Sequence, residues 1–188
     1  MITWLHSAEI VGRDDEQRLL LGALDDASDG SGSLVLVSGE AGIGKSALVD
    51  NLKQMASERD VRVLWGGCYD LTTTPPYGPW LEALKRYRPD KDRGEPPPLA
   101  VIPAKIEQLD ERNDFLRDLQ RFVLDLATDR PLLIVLEDMH WSDQGSLDAL
   151  RHLSRHVGEI PAFLIATFRD DGGTARHALA EMLPALVR

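Results

Sequence analysis

The stretch Gly39-Glu40-Ala41-Gly42-Ile43-Gly44-Lys45-Ser46 constrains this chain more than any other. It fits the pattern G-x-x-x-x-G-K-[ST], in which every fixed position has a physical task toward phosphate. Glycines let the backbone wrap close to anionic oxygens where a Cβ would obstruct, and successive N–H groups form an anion-binding nest. A helix starting near Lys45 aims its positive end and unpaired amides at the same oxygens. Lys45 adds a mobile cation for β- and γ-phosphates, and the Ser46 hydroxyl suits one position on Mg²⁺, which takes few protein ligands. Such a loop must join a strand to a helix. Leu34-Val35-Leu36-Val37 precedes it as the all-apolar run expected of a strand buried on both faces. Leu48, Leu52 and Met55 follow at helical spacing. The bland alternative is a glycine turn before an ordinary helix, and the four fixed residues in that context make coincidence rare.

Further strand-like and helix-like pieces alternate along the 188 residues, as in a parallel sheet with crossover helices. Strands are expected near 34–38, 61–65, 132–137 and 162–167. A helix capped by Asp14 should run to about Leu24, inside a lead-in over residues 1–32. Residues 66–112 read as an irregular insert, with loop compositions at Thr72–Pro76 and Glu95–Pro98 flanking one helix that carries Trp80, Leu81, Leu84 and Tyr87. Phe115, Leu119, Phe122 and Leu126 mark a helix that Asn113 can cap and Pro131 ends. Leu147, Leu150, Leu153 and Val157 mark another, ending at Gly158, and a last helix should start near Thr174. The expected fold is one three-layer α/β P-loop domain over residues 1–188.

Leu132–Leu136 delivers Glu137 and Asp138 to a strand's carboxyl end, the edge where open α/β sheets bind ligands. Beside a P-loop, one carboxylate can hold Mg²⁺ and the other can orient or deprotonate a water. Thr167-Phe168-Arg169 ends the fourth strand. Arg169 there can sense a γ-phosphate, or is simply an exposed residue entering the Asp170–Gly173 turn.

Composition excludes other classes. Lys and Arg total 21 against 31 Asp and Glu, a net charge of −10, and neither half of the chain is basic, so this length is a poor candidate for direct nucleic-acid contact. The apolar runs are far shorter than the ~20 residues of a membrane span. The lone Cys68 forbids an internal disulfide, and with no signal-like N-terminus the expected location is cytoplasmic.

In its motifs and their order the chain resembles the AAA-like ATPase module of the signal-transduction (STAND-type) P-loop ATPases. Modules of this kind stand at the N-terminus of large LuxR-type transcriptional regulators and of some multidomain cyclases and kinases. The resemblance rests on Val11-Gly12-Arg13-Asp14, the P-loop, Cys68-Tyr69-Asp70 with Pro76-Tyr77-Gly78-Pro79, Leu136 to Asp143 with its His-Trp-x-Asp, and Ala166 to Arg169. It implies ATP on Gly39 to Ser46, Mg²⁺ shared by Ser46 and Glu137, Asp138 handling the water, and Arg169 as sensor. Gly12-Arg13 would border the adenine, whereas Arg13 by itself reads equally as a solvated residue before a helix. Many AAA ATPases order the acidic pair Asp then Glu. Here Asp138 is one methylene shorter, which implies slow turnover suited to a switch. The resemblance also implies further sensor or effector domains or a homo-oligomer, and a truncated core of four strands, without a lid, whose first strand keeps an exposed edge.

Two other readings stay open: a working AAA-type ATPase, and a phosphotransferase using Asp70 or the Thr72–Tyr77 loop, which lacks an Arg-rich lid. His152 and His156 at i, i+4 have zinc-compatible spacing but no accompanying Glu or cysteine pair. Tyr69, Tyr77, Trp80 and Tyr87 read as core before partner surface. Cys68 has no basic setting and is not expected to be a nucleophile.

Overall fold

The computed structural model describes residues 13–70, 76–89 and 109–169. The expected loops at Thr72–Pro75 and Glu95–Pro98, the Asp170–Gly173 turn and the helix from Thr174 lie outside them.

Helix α1 (Asp14–Ser28) opens with Asp14, Asp15 and Glu16, whose charges suit its positive end. Asp14 is its first helical residue rather than its cap, since Arg13 holds the cap position and makes no side-chain cap bond. The helix also runs a turn beyond Leu24, because fully buried Ala27 extends its apolar stripe. Strand β1 (Ser33–Gly39) leads through the P-loop into α2 (Lys45–Glu58), and β2 (Arg62–Gly67) follows. The stretch expected to be irregular begins inside β2 and holds α3 (Gly78–Arg86) and the first turn of α4 (Leu109–Asp129). Asn113 therefore lies within α4, one turn past its start, and does not cap it. Pro131 does follow the helix end. Strand β3 (Leu132–Glu137), a 3₁₀ turn (Met139–Trp141), α5 (Gln144–Ser154) and β4 (Ala162–Arg169) complete the described chain. Helix α5 ends at Ser154, short of the expected Gly158, and Val157 reaches the core from a separate 3₁₀ turn (Val157–Glu159).

All four strands pair in parallel in the order β1-β4-β3-β2. The inner strands are apolar up to Leu136 and Ala166, before their carboxyl ends, and the period of two sorts their side chains by face. Leu133, Val135, Phe163 and Ile165 pack with α1 and α2, while Ile134, Leu136, Leu164 and Ala166 pack with α3, α4 and α5. This makes a three-layer α/β fold of the P-loop NTPase kind. Gly66 admits the close approach of α3 to β2, since a Cβ there would stand 2.0 Å from the Pro79 carbonyl oxygen. Leu34–Val37 of β1 are only half-buried rather than enclosed on both faces, because among the described residues this strand pairs with β4 alone and has the exposed edge expected of a four-strand core. Among the described residues no helix is long and apolar enough to cross a membrane.

Candidate functional site

The site forms where β1, β4 and β3 end side by side. Register places Gly39 opposite Arg169, Val37 opposite Thr167, and Ala166 between Leu36 and Leu136. The P-loop, the acidic pair and the Thr-x-Arg end of β4 thus meet at one carboxyl edge. There a cavity of about 230 Å³ is lined by Ala41, Gly42, Gly44, Lys45, Ser46, Ala47, Asp138 and Arg169.

Glycine is required in the loop by conformation: Gly42 and Gly44 have φ of 76° and 93°, a left-handed backbone that costs other residues energy. Gly44 is the cap residue of α2, and no side chain caps the helix or places a carboxylate in its first turn. Its first turn, whose Lys45, Ser46 and Ala47 line the cavity, therefore keeps its leading amides without a side-chain cap. Lys45 is buried and folds back, its Nζ donating to the carbonyl oxygens of Gly39 and Glu40 at 2.8 Å each. Ser46 is exposed at the rim, and Ile43 is half exposed. Arg13 is partly exposed, and its guanidinium donates to the Ile43 carbonyl oxygen at 2.5 Å, which ties the entry to α1 onto the loop.

The two acids differ sharply. Glu137 continues the alternation of Leu133 and Val135 onto the α2 face, where its Oε1 accepts from Lys53 Nζ at 3.0 Å. Burial opposes the charge on Lys53, but hydrogen bonds to Asp50 and Glu137 outweigh it and hold the pKa above the ordinary lysine value. Asp138 adopts a left-handed backbone, φ 56°, and lines the cavity. Its amide donates to the Oγ1 of buried Thr167 at 3.0 Å, and its carboxylate stands 3.9 Å from His140 Nδ1. Thr167 therefore braces the acidic pair, while Arg169, two residues further along β4, lines the cavity.

Sequence reasoning missed Lys53, whose only signal was its place two turns below Ser46 on α2. It also missed the task of Asp143, the end of the His-Trp-x-Asp run. Asp143 caps α5 by accepting from Ser146 N at 3.0 Å and also accepts from Tyr77 N at 3.0 Å, pinning α3 and α5 together. Tyr77, Trp80 and Tyr87 are core residues, as expected, whereas Tyr69 is exposed with its hydroxyl 2.9 Å from Glu82. His152 is bound to Gln120 Oε1 at 2.8 Å, and no group of three or more His, Cys, Asp or Glu side chains suited to a metal ion occurs among the described residues.

Similarity to known proteins agrees with this geometry. A family model described as an AAA ATPase domain matches residues 9–165. An uncharacterized protein of Rhizobium meliloti (strain 1021) is 23% identical over 189 residues, covering 85% of this chain and 18% of the relative. Among solved structures, the ORC1 protein of Aeropyrum pernix in complex with DNA superposes with a TM-score of 0.60 at 19% identity, over 95% of this chain and 44% of that one. The ORC2 protein of the same organism in its ADP form gives 0.56 at 17% identity, over 97% and 47%. A Walker-type ATPase of Pyrococcus abyssi gives 0.52 at 17% identity, over 93% and 48%. The chain thus spans less than half the length of these structures and under a fifth of the Rhizobium protein, and at such identities the structures speak for the fold alone. With 157 consecutive residues matched by one family model (165 − 9 + 1), the chain belongs to the AAA ATPase domain family.

Proposed function

We propose that residues 1–188 act as a single ATP-binding regulatory module, a nucleotide switch with slow Mg²⁺-dependent hydrolysis inside a signalling or transcription-regulatory protein. The observation that carries the reading is the cavity at the carboxyl edge, where the glycine cradle and uncapped helix α2 face Asp138 and Arg169. Amide donors and a lysine suit a polyphosphate. The hydroxyl of Ser46 and the carboxylate of Glu137 are hard oxygen donors of the kind Mg²⁺ prefers, and they would hold it. When bound, the ion supplies charge neutralisation to the phosphates.

The chain's own residues would do the following. Lys45 leaves the Gly39 and Glu40 carbonyls for β- and γ-phosphate oxygens. Asp138 accepts a hydrogen bond from the attacking water, its short side chain placed by the Thr167 brace. Arg169 contacts the γ-phosphate and reports its loss to β4. The weak reach of Asp138 favours a switch over a motor, and the Rhizobium relative, of which the matched part is 18%, supports a module set in a larger protein. In such a protein, further domains or a second copy of the chain would read the bound nucleotide.

Equilibrium binding of ATP with Mg²⁺ to the wild type and Lys45→Ala tests the root of this reading. Lys45→Ala is expected to weaken binding at least about tenfold, as loss of a charge-assisted contact should. Equal affinity in both removes the P-loop assignment. Vigorous steady-state turnover by the wild type would instead favour the working-ATPase reading.

A further inference from the structure

Ser46 and Lys53 are seven residues apart on α2, which places them on one helix face about 10 Å apart along the axis. Glu137 reaches that face from β3. The ammonium it meets there is well fixed. Lys53 is bonded to Asp50 at 2.7 Å and to Glu137 at 3.0 Å, and lies 4.6 Å from the centre of the Trp65 ring. The same ring carries the Arg86 guanidinium at 3.5 Å, and Arg86 is held in turn by the Trp65 carbonyl and by Glu82. The side chains of Lys53 and Glu137 are only 16% and 17% exposed, whereas Asp50 is 65% exposed. Water therefore screens the pair to Glu137 less than it screens the pair to Asp50.

We propose that Lys53 is a positioning residue that competes with Mg²⁺ for the Glu137 carboxylate, so that loading Mg²⁺ at Ser46 requires Glu137 to exchange one cation for another. The proposal rests on the reading of Glu137 as a Mg²⁺ ligand. Asp50 and Trp65 make the exchange reversible, because they keep the ammonium partnered when Glu137 leaves it. The consequence is a graded Mg²⁺ requirement, and a mechanical link from the metal position through Lys53 and Trp65 to the β2 edge and α3.

The test is binding of a fluorescent ATP analogue across a titration of free Mg²⁺, with Lys53→Met, Lys53→Arg, Glu137→Gln and the double variant Lys53→Met/Glu137→Gln. Methionine keeps the aliphatic stem against Trp65, and thermal unfolding checks that each variant is folded. Lys53→Met is expected to lower the Mg²⁺ midpoint about three- to fivefold, in keeping with a partly buried ion pair. Lys53→Arg should stay near the wild type. In the Glu137→Gln background Lys53→Met should change nothing, since the coupling runs through Glu137. An unchanged midpoint in Lys53→Met overturns the competition, and so does an equal shift in both backgrounds, which reports a field effect alone. If Glu137→Gln by itself leaves the midpoint in place, Glu137 is not the ligand and the underlying reading falls, whatever Lys45→Ala shows about ATP.

Discussion

Cys68 follows β2 with 6% of its surface exposed and its Sγ 3.9 Å from Met139 Sδ. Burial pushes its thiol up to about 12 from 9.0, and the nearby carboxylates of Asp143, Asp138 and Glu82 push the same way. Three pKa units make the thiolate about a thousandfold scarcer than in an ordinary cysteine near neutral pH. Labelling by an aromatic disulfide reagent should accordingly be negligible in the native chain and rapid after unfolding. Native labelling at the rate of a free thiol would contradict this placement. Asp138 illustrates the opposite case, a residue whose role lies in its backbone: the left-handed turn at φ 56° separates it from Glu137, so two adjacent acids serve different faces.

At the scale of elements, α5 shows how helices are tied to one another by polar groups as well as by the core. Asp143 caps it, Trp80 Nε1 donates to the Ser146 carbonyl oxygen at 3.0 Å, and His152 meets Gln120 of α4. Burial lowers the pKa of His152 below 6.5, and the charges of His156 and Arg155 lower it further. The folded state then binds fewer protons at this group than the unfolded chain, so its contribution to stability is complete above about pH 6.5 and is lost as pH falls through the folded pKa. Melting temperatures taken from about pH 7.5 down to about pH 5 should fall less steeply for His152→Gln than for the wild type. Parallel curves would assign the acid sensitivity elsewhere.

For the molecule as a whole, stability is distributed by strand position. Strands β3 and β4 are paired on both sides and packed between two helical layers, whereas β1 and β2 each have one partner among the described residues. Hydrogen exchange read by mass spectrometry should therefore find the slowest amides in β3 and β4, with faster exchange in β1 and β2. Protection of β1 equal to that of β3 would mean that something else pairs with its outer edge. The P-loop hangs from this edge strand, so the same experiment should find its segment opening more readily than the strand carrying the acids.

The sequence by itself determined the alternation of strands and helices, the phosphate loop and the acidic pair. Each is a local pattern: glycines for left-handed backbone, a period of two or 3.6 for a buried face, an apolar run ending in carboxylates. It misjudged the burial of Leu34–Val37, the caps at Asp14 and Asn113 and the end of α5. An apolar run looks alike at the centre or the edge of a sheet, and a helix end depends on what packs across it. Only the tertiary structure decided that Glu137 faces Lys53 while Asp138 faces the cavity, that Arg13 holds Ile43, and that Asp143 joins α3 to α5. The separations in sequence are 30 residues for Arg13 with Ile43, 66 for Tyr77 with Asp143 and 84 for Lys53 with Glu137, and nothing short of the folded sheet brings such groups within hydrogen-bonding distance.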